Sequence, residues 1–198
     1  MKQTDVLFLL LEKAQYITIT VNGVSMEPTL HKGDSITIEK CVDYQIGDII
    51  VFKYKHNELL VHRIVKKDDR LYCKGDNAFR LEDIASDQIA GKVVQINRQP
   101  IRNWPLSLID LSLKVGLVFR KQHYNIEAAK KTDIYKQYSE AISTYTAKIN
   151  NQPTTLFDAY REKWSYDVVS CSDLCTRSLF IKKAVVTNVQ RKSLFFIS

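Results

Sequence analysis

Glycine and proline are sparse, six and four in 198 residues, and cysteine is limited to four. That composition excludes a collagen-like chain, and neither an internal repeat nor a low-complexity segment interrupts the sequence. No stretch approaches the roughly 18 uncharged apolar residues of an ordinary membrane-spanning helix. The best candidate, 105–119, is broken by Asp110 and Lys114. The opening residues also lack the form of a secretory signal, because the apolar run Val6–Leu11 is short and flanked by acidic residues. Cys41, Cys73, Cys171 and Cys175 have no second pair or histidine at zinc-like spacing. Reduced thiols in a cytoplasmic or peripherally membrane-associated protein are therefore expected, and no metal or cofactor is called for.

What is present is an ordinary globular composition, 45% hydrophobic and 26% charged, long enough to bury a core without staples. The net charge of +7 is unevenly placed. Residues 1–104 carry 15 Lys/Arg against 14 Asp/Glu, whereas residues 105–198 carry 14 against 8. The basic second half would suit nucleic acid, an anionic lipid surface or an acidic partner.

Texture changes along the chain in step with charge. Thr4–Gln15 reads as a short helix with Val6, Leu7, Leu10 and Leu11 on one stripe and Thr4 as N-cap. Short β-rich runs follow at Tyr16–Asn22, Ser35–Lys40, Asp48–Tyr54, Leu59–Lys66, Arg70–Lys74 and Lys92–Asn97. Turns such as Asn22-Gly23 and Lys32-Gly33-Asp34 separate them, so an antiparallel meander is expected rather than a parallel βαβ sheet. After Gln99-Pro100 the spacing becomes helical over Leu106–Lys121, Thr132–Ile149 and Thr154–Lys163. The first of these is a basic amphipathic stretch, expected to pack on the β part or to touch a membrane surface peripherally. Ser178–Ser198 reads as a strand pair or a helix, and a boundary is placed near residue 104.

Three short elements bear chemistry. Gly23-Val24-Ser25-Met26-Glu27-Pro28-Thr29-Leu30 leaves a strand through a tight turn, where a serine hydroxyl can project into a cleft. Leu59-Leu60-Val61-His62-Arg63-Ile64-Val65 places a histidine within an apolar strand; its ordinary pKa near 6.5 suits proton transfer at neutral pH. Tyr72-Cys73-Lys74-Gly75-Asp76-Asn77 and the following Glu82-Asp83 supply three carboxylates beyond a strand that should neighbour the His62 strand. Each alone has an ordinary structural reading: a turn serine, a core histidine, a capped turn.

In order and context these elements resemble the signal peptidase I and LexA-like serine peptidase superfamily. Ser25-Met26-Glu27-Pro28-Thr29-Leu30 looks like its nucleophile box, and Gly47-Asp48-Ile49-Ile50-Val51-Phe52 like its Gly-Asp-hydrophobic strand. Val61-His62-Arg63-Ile64-Val65 looks like the general-base box of the histidine-type (archaeal and endoplasmic-reticulum) branch, and Gly75-Asp76-Asn77 like the acidic box. Gly91-Lys92-Val93-Val94 matches the closing strand. The resemblance implies a mainly β fold, a coiled antiparallel domain over 1–104, followed by a basic, mostly helical extension over 105–198. It also implies a serine endopeptidase acting on an extended precursor, leader or signal peptide, with Ser25 as nucleophile and His62 as base. Family spacing puts the acidic orienter at Glu82 or Asp83; Asp83 is favoured, with Asp76 in reserve. The hydroxyl found two residues before the nucleophile in lysine-type relatives is replaced by Gly23, and no membrane anchor adjoins the serine box. The alternatives are a LexA-like regulator, for which nucleic acid is an improbable partner given the histidine base, and an inactive peptide-binding module.

Overall fold

The structure is a computed structural model describing residues 3–55, 58–150, 184–185 and 195–196. It begins with helix α1 (Gln3–Lys13), so Thr4 lies inside the first turn rather than capping it. Strands β1 (Tyr16–Thr20), β2 (Ser35–Glu39), β3 (Ile49–Lys53), β4 (Leu59–Lys67), β5 (Leu71–Lys74), β6 (Glu82–Ile84), β7 (Ile89–Ile96) and β8 (Gln99–Pro100) form one antiparallel sheet. Helices α2 (Leu106–Lys121), α3 (Ile126–Lys130) and α4 (Asp133–Asn150) follow. The fold is mainly β with a helical extension. Ala184–Val185 pairs antiparallel with Phe195–Phe196, while the expected helix at Thr154–Lys163 lies outside the described residues, as do Cys171 and Cys175.

Strand order is β1-β2-β7-β3-β4-β5-β6, with β8 paired to β7. The expected meander holds for β3 through β6 only. β7 returns to lie between β2 and β3, which makes it central rather than a closing edge. It begins at Ile89, three residues earlier than its apolar pattern suggests, and β6, β8 and α3 are too short to show a period. Register shifts at Thr37/Ile38, Val51/Phe52 and Ile64/Lys66 bend the sheet.

That curl gives the sheet two apolar faces. β3 is buried on both: Ile49 and Val51 join Leu7, Ile17, Ile36, Ile38 and Val93 in one core, while Ile50 and Phe52 join Ile64, Cys73 and Ile84 in another. The stripe Val6, Leu7, Leu10 and Leu11 of α1 is spent in the first core. A third core forms where the helices meet the sheet, with Val65 and Trp104 against Leu108, Ile109, Val115 and Tyr138. No helix among the described residues is long and apolar enough to cross a membrane.

Gly91 shows how closely β7 is inserted. A methyl group there would lie 2.5 Å from the Glu39 carbonyl oxygen and 2.7 Å from Ile38 Cγ2. Neither is a flexible side-chain end, so Gly91→Ala must displace a strand. A loss of about 1–3 kcal/mol in unfolding free energy is expected, read as a lower urea midpoint; an unchanged midpoint would contradict this packing.

Candidate active site

The Ser25 turn leaves β1 and is closed by bonds from the Glu27 N–H to the Val24 carbonyl and from the Thr29 and Leu30 N–H groups to the Met26 carbonyl. Met26 and Leu30 point into the first core and root the turn. Ser25 itself stays half-buried, within reach of solvent. His62 lies in β4 opposite Ile50 of β3, and Phe52 packs edge-on to its ring with centroids 6.0 Å apart.

Ser25 Oγ and His62 Nε2 are 3.0 Å apart, and His62 Nδ1 is 3.0 Å from Glu82 Oε2. The two ends of the imidazole thus face a hydroxyl and a carboxylate. A proton on Nδ1 donated to Glu82 leaves Nε2 as acceptor for the serine O–H. His62 and Glu82 are buried, whereas Ser25 is open on one side. Among the described residues nothing accepts the Ser25 N–H.

The carboxylate that lies beside His62 is Glu82, rather than the favoured Asp83 or the reserve Asp76. Glu82 and Ile84 occupy the inward face of β6, and Asp83 between them faces solvent, where it pairs with Arg70. Strand alternation forbids both acids from entering. Asp76 is spoken for elsewhere. Its Oδ1 accepts from Arg63 Nε at 3.0 Å, and its Oδ2 accepts from Arg63 Nη2 at 2.8 Å and from the Thr29 hydroxyl at 2.5 Å.

Asp76 therefore ties three pieces of chain together. Arg63, next to His62, is fully buried; it also donates to the Gly47 carbonyl and lies 4.0 Å from the centre of the Trp104 ring. Thr29 belongs to the serine turn. The Asn77 N–H donates to the Ser25 carbonyl at 2.8 Å, and Asn77 Nδ2 donates to the Val24 carbonyl at 3.3 Å. Gly75 fits where no side chain can: a methyl group would lie 2.5 Å from the Ser25 oxygen and 2.9 Å from His62 Nε2. The loop 75–77 is a plate pressed against Ser25 and His62.

Residues 2–94 match the family model for Peptidase S24-like proteins. Over these residues the chain is similar to Peptidase S24-like proteins. The match spans α1 and most of the β sheet, including Ser25, His62 and Glu82, and leaves α2, α3 and α4 outside. This family sits in the LexA and signal peptidase superfamily and includes serine peptidases. Comparison with curated proteins returns no match.

Three site neighbours had no distinguishing mark in sequence: Arg63, Lys74 and Tyr138. Lys74 ends β5 with its ammonium wholly buried, donating to the Gly75 carbonyl and Ser112 Oγ, each at 3.1 Å, and to Tyr138 Oη at 3.4 Å. Burial pushes its pKa down to about 8, against the opposing pull of Asp76 and Glu82. Above that pH the unfolded chain still holds a proton that the folded chain has released. Stability from this group therefore rises with pH from about 8 to 10.5 and is flat below. Lys74→Met has no such group, so its stability relative to wild type should fall on the order of 2 kcal/mol across that window. Urea melts at intervals of pH provide the check; parallel curves for the two proteins would contradict it.

Proposed function

We propose that the protein is a serine endopeptidase in which Ser25 is the nucleophile, His62 the general base and Glu82 the orienting acid. The observation carrying this reading is the continuous contact from Ser25 Oγ through both imidazole nitrogens to Glu82, at 3.0 Å on each side. Ser25 Oγ attacks a peptide carbonyl as its proton passes to His62 Nε2, and the imidazolium then delivers that proton to the leaving amine. Water attacks the resulting ester, with His62 again accepting the proton. Glu82 fixes the ring tautomer and offsets the transient positive charge. The Ser25 N–H offers a donor for the developing oxyanion, a contribution worth roughly 10²–10³ in rate.

The substrate is an extended precursor, leader or signal peptide. β1 ends at the serine turn and pairs with β2 alone among the described strands, so its outer edge is open to an added strand. The excess of cations over 105–198 suits peripheral contact with an anionic membrane surface.

Ser25→Ala and His62→Ala should each abolish cleavage of a precursor followed by mass spectrometry. Glu82→Gln should lower kcat by roughly 10³–10⁴-fold, whereas Asp83→Asn should leave it within a factor of about two because Asp83 faces solvent. Cleavage surviving Ser25→Ala, or equal losses at 82 and 83, would overturn the assignment.

A further inference from the structure

Helices α2 and α4, beyond the S24-like match, reach the site through Ser112 and Tyr138. Tyr138, on α4, is buried, and its hydroxyl donates to the Asp76 carbonyl at 2.7 Å. Ser112, wholly buried on α2, donates to that hydroxyl at 3.3 Å and accepts from Lys74. Lys74 spends its three N–H donors on the Gly75 carbonyl, Ser112 and Tyr138. The bonds run one way, from ammonium to serine to tyrosine to the backbone of the loop. On its other side that loop touches Ser25 and His62. Trp104 and Tyr138 rings meet edge-on at 6.4 Å, so the aromatic that covers Arg63 also braces the tyrosine.

We propose that Tyr138 is a positioning residue for the Ser25–His62 pair, acting through the Asp76 carbonyl, and that this is the task of helices α2 and α4. The inference rests on the peptidase reading for its kinetic consequence, while its structural consequence stands apart from activity. Removing the hydroxyl lets the loop retreat from the serine turn. A displacement near 1 Å at such a site can cost about 10²-fold in rate.

Tyr145 supplies a matched control. It lies two turns further along α4, and its hydroxyl donates to the Asn103 carbonyl at 2.8 Å, also tying the helix to the preceding chain but not to the loop. In the full-length protein, Tyr138→Phe should lower kcat 10- to 100-fold, on the scale of such a displacement, with KM changed less than about threefold. It should also shift the ring-proton NMR resonances of His62. Tyr145→Phe, which removes one exposed hydrogen bond, should lower the thermal midpoint by less and leave kcat and those resonances unmoved. Ser112→Ala, a smaller perturbation, should act in the direction of Tyr138→Phe and serves if the latter fails to fold. Unmoved His62 resonances in Tyr138→Phe and Ser112→Ala, or equal shifts in Tyr145→Phe, would overturn the proposal. If the wild-type protein cleaves no peptide and Ser25 takes up no fluorophosphonate, the peptidase reading falls, and the His62 resonances still decide whether Tyr138 positions the pair.

Discussion

The buried pair between Arg63 and Asp76 is the constraint on which the site depends. Both side chains are without solvent access, and the contact is two-pronged. Two charges withdrawn from water gain little net stability over apolar packing, but removing either partner strands the other at a cost of about 3–5 kcal/mol. The pair therefore admits few alternatives. Arg63 is adjacent to His62 on β4, and Asp76 lies between Gly75 and Asn77. Satisfying the guanidinium forces the loop over His62 and, through Thr29 and Asn77, over the serine turn. Ser25 and His62, 37 positions apart in sequence, are brought together by groups outside the Ser25–His62–Glu82 contact.

How much of this was legible in the sequence depends on the range of the determining interaction. Strand positions from β1 to β5 follow from short β-rich runs between turn signals, and in β2 Ile36 and Ile38 occupy the inward face that period-two alternation assigns. Ser25 and His62 stand out because a tight turn and a polar residue within an apolar strand are local signals. The insertion of β7 between β2 and β3 is set by long-range pairing, and its only trace in the chain is Gly91, where two strands approach too closely for a side chain. Arg63, Lys74 and Tyr138 look like ordinary charged or aromatic residues until their partners, 13 to 64 positions away, are placed.

The two neighbouring acids are told apart by a local signal. Counting residues from the Gly-Asp-Asn box leaves Glu82 and Asp83 equivalent. Treating Glu82-Asp83-Ile84 as a strand separates them, because Ile84 must face the core and parity then turns Glu82 inward with it. Three residues are too few to announce a strand by periodicity, and two of these three are poor strand formers. Pairing with β5 overrides that weak propensity. Once it has done so, a shift of one position would replace the carboxylate facing His62 with a solvent-facing one.

The cluster of Lys74, Ser112 and Tyr138 illustrates the same economy of direction in a polar interior. An apolar trio of similar volume could join helices to sheet at least as firmly. It could not choose where the loop backbone stops, since dispersion contacts vary gently with position whereas hydrogen bonds weaken steeply off axis. With a protonated amine, every donor in the cluster has one acceptor, and the last acceptor is the peptide carbonyl of Asp76. A helix pair that only stabilised the sheet would need Leu108, Ile109 and Val115 but no buried ammonium or tyrosine hydroxyl. On the proposed peptidase reading, the polar cluster serves to fix the loop beside the Ser25 hydroxyl and the His62 imidazole.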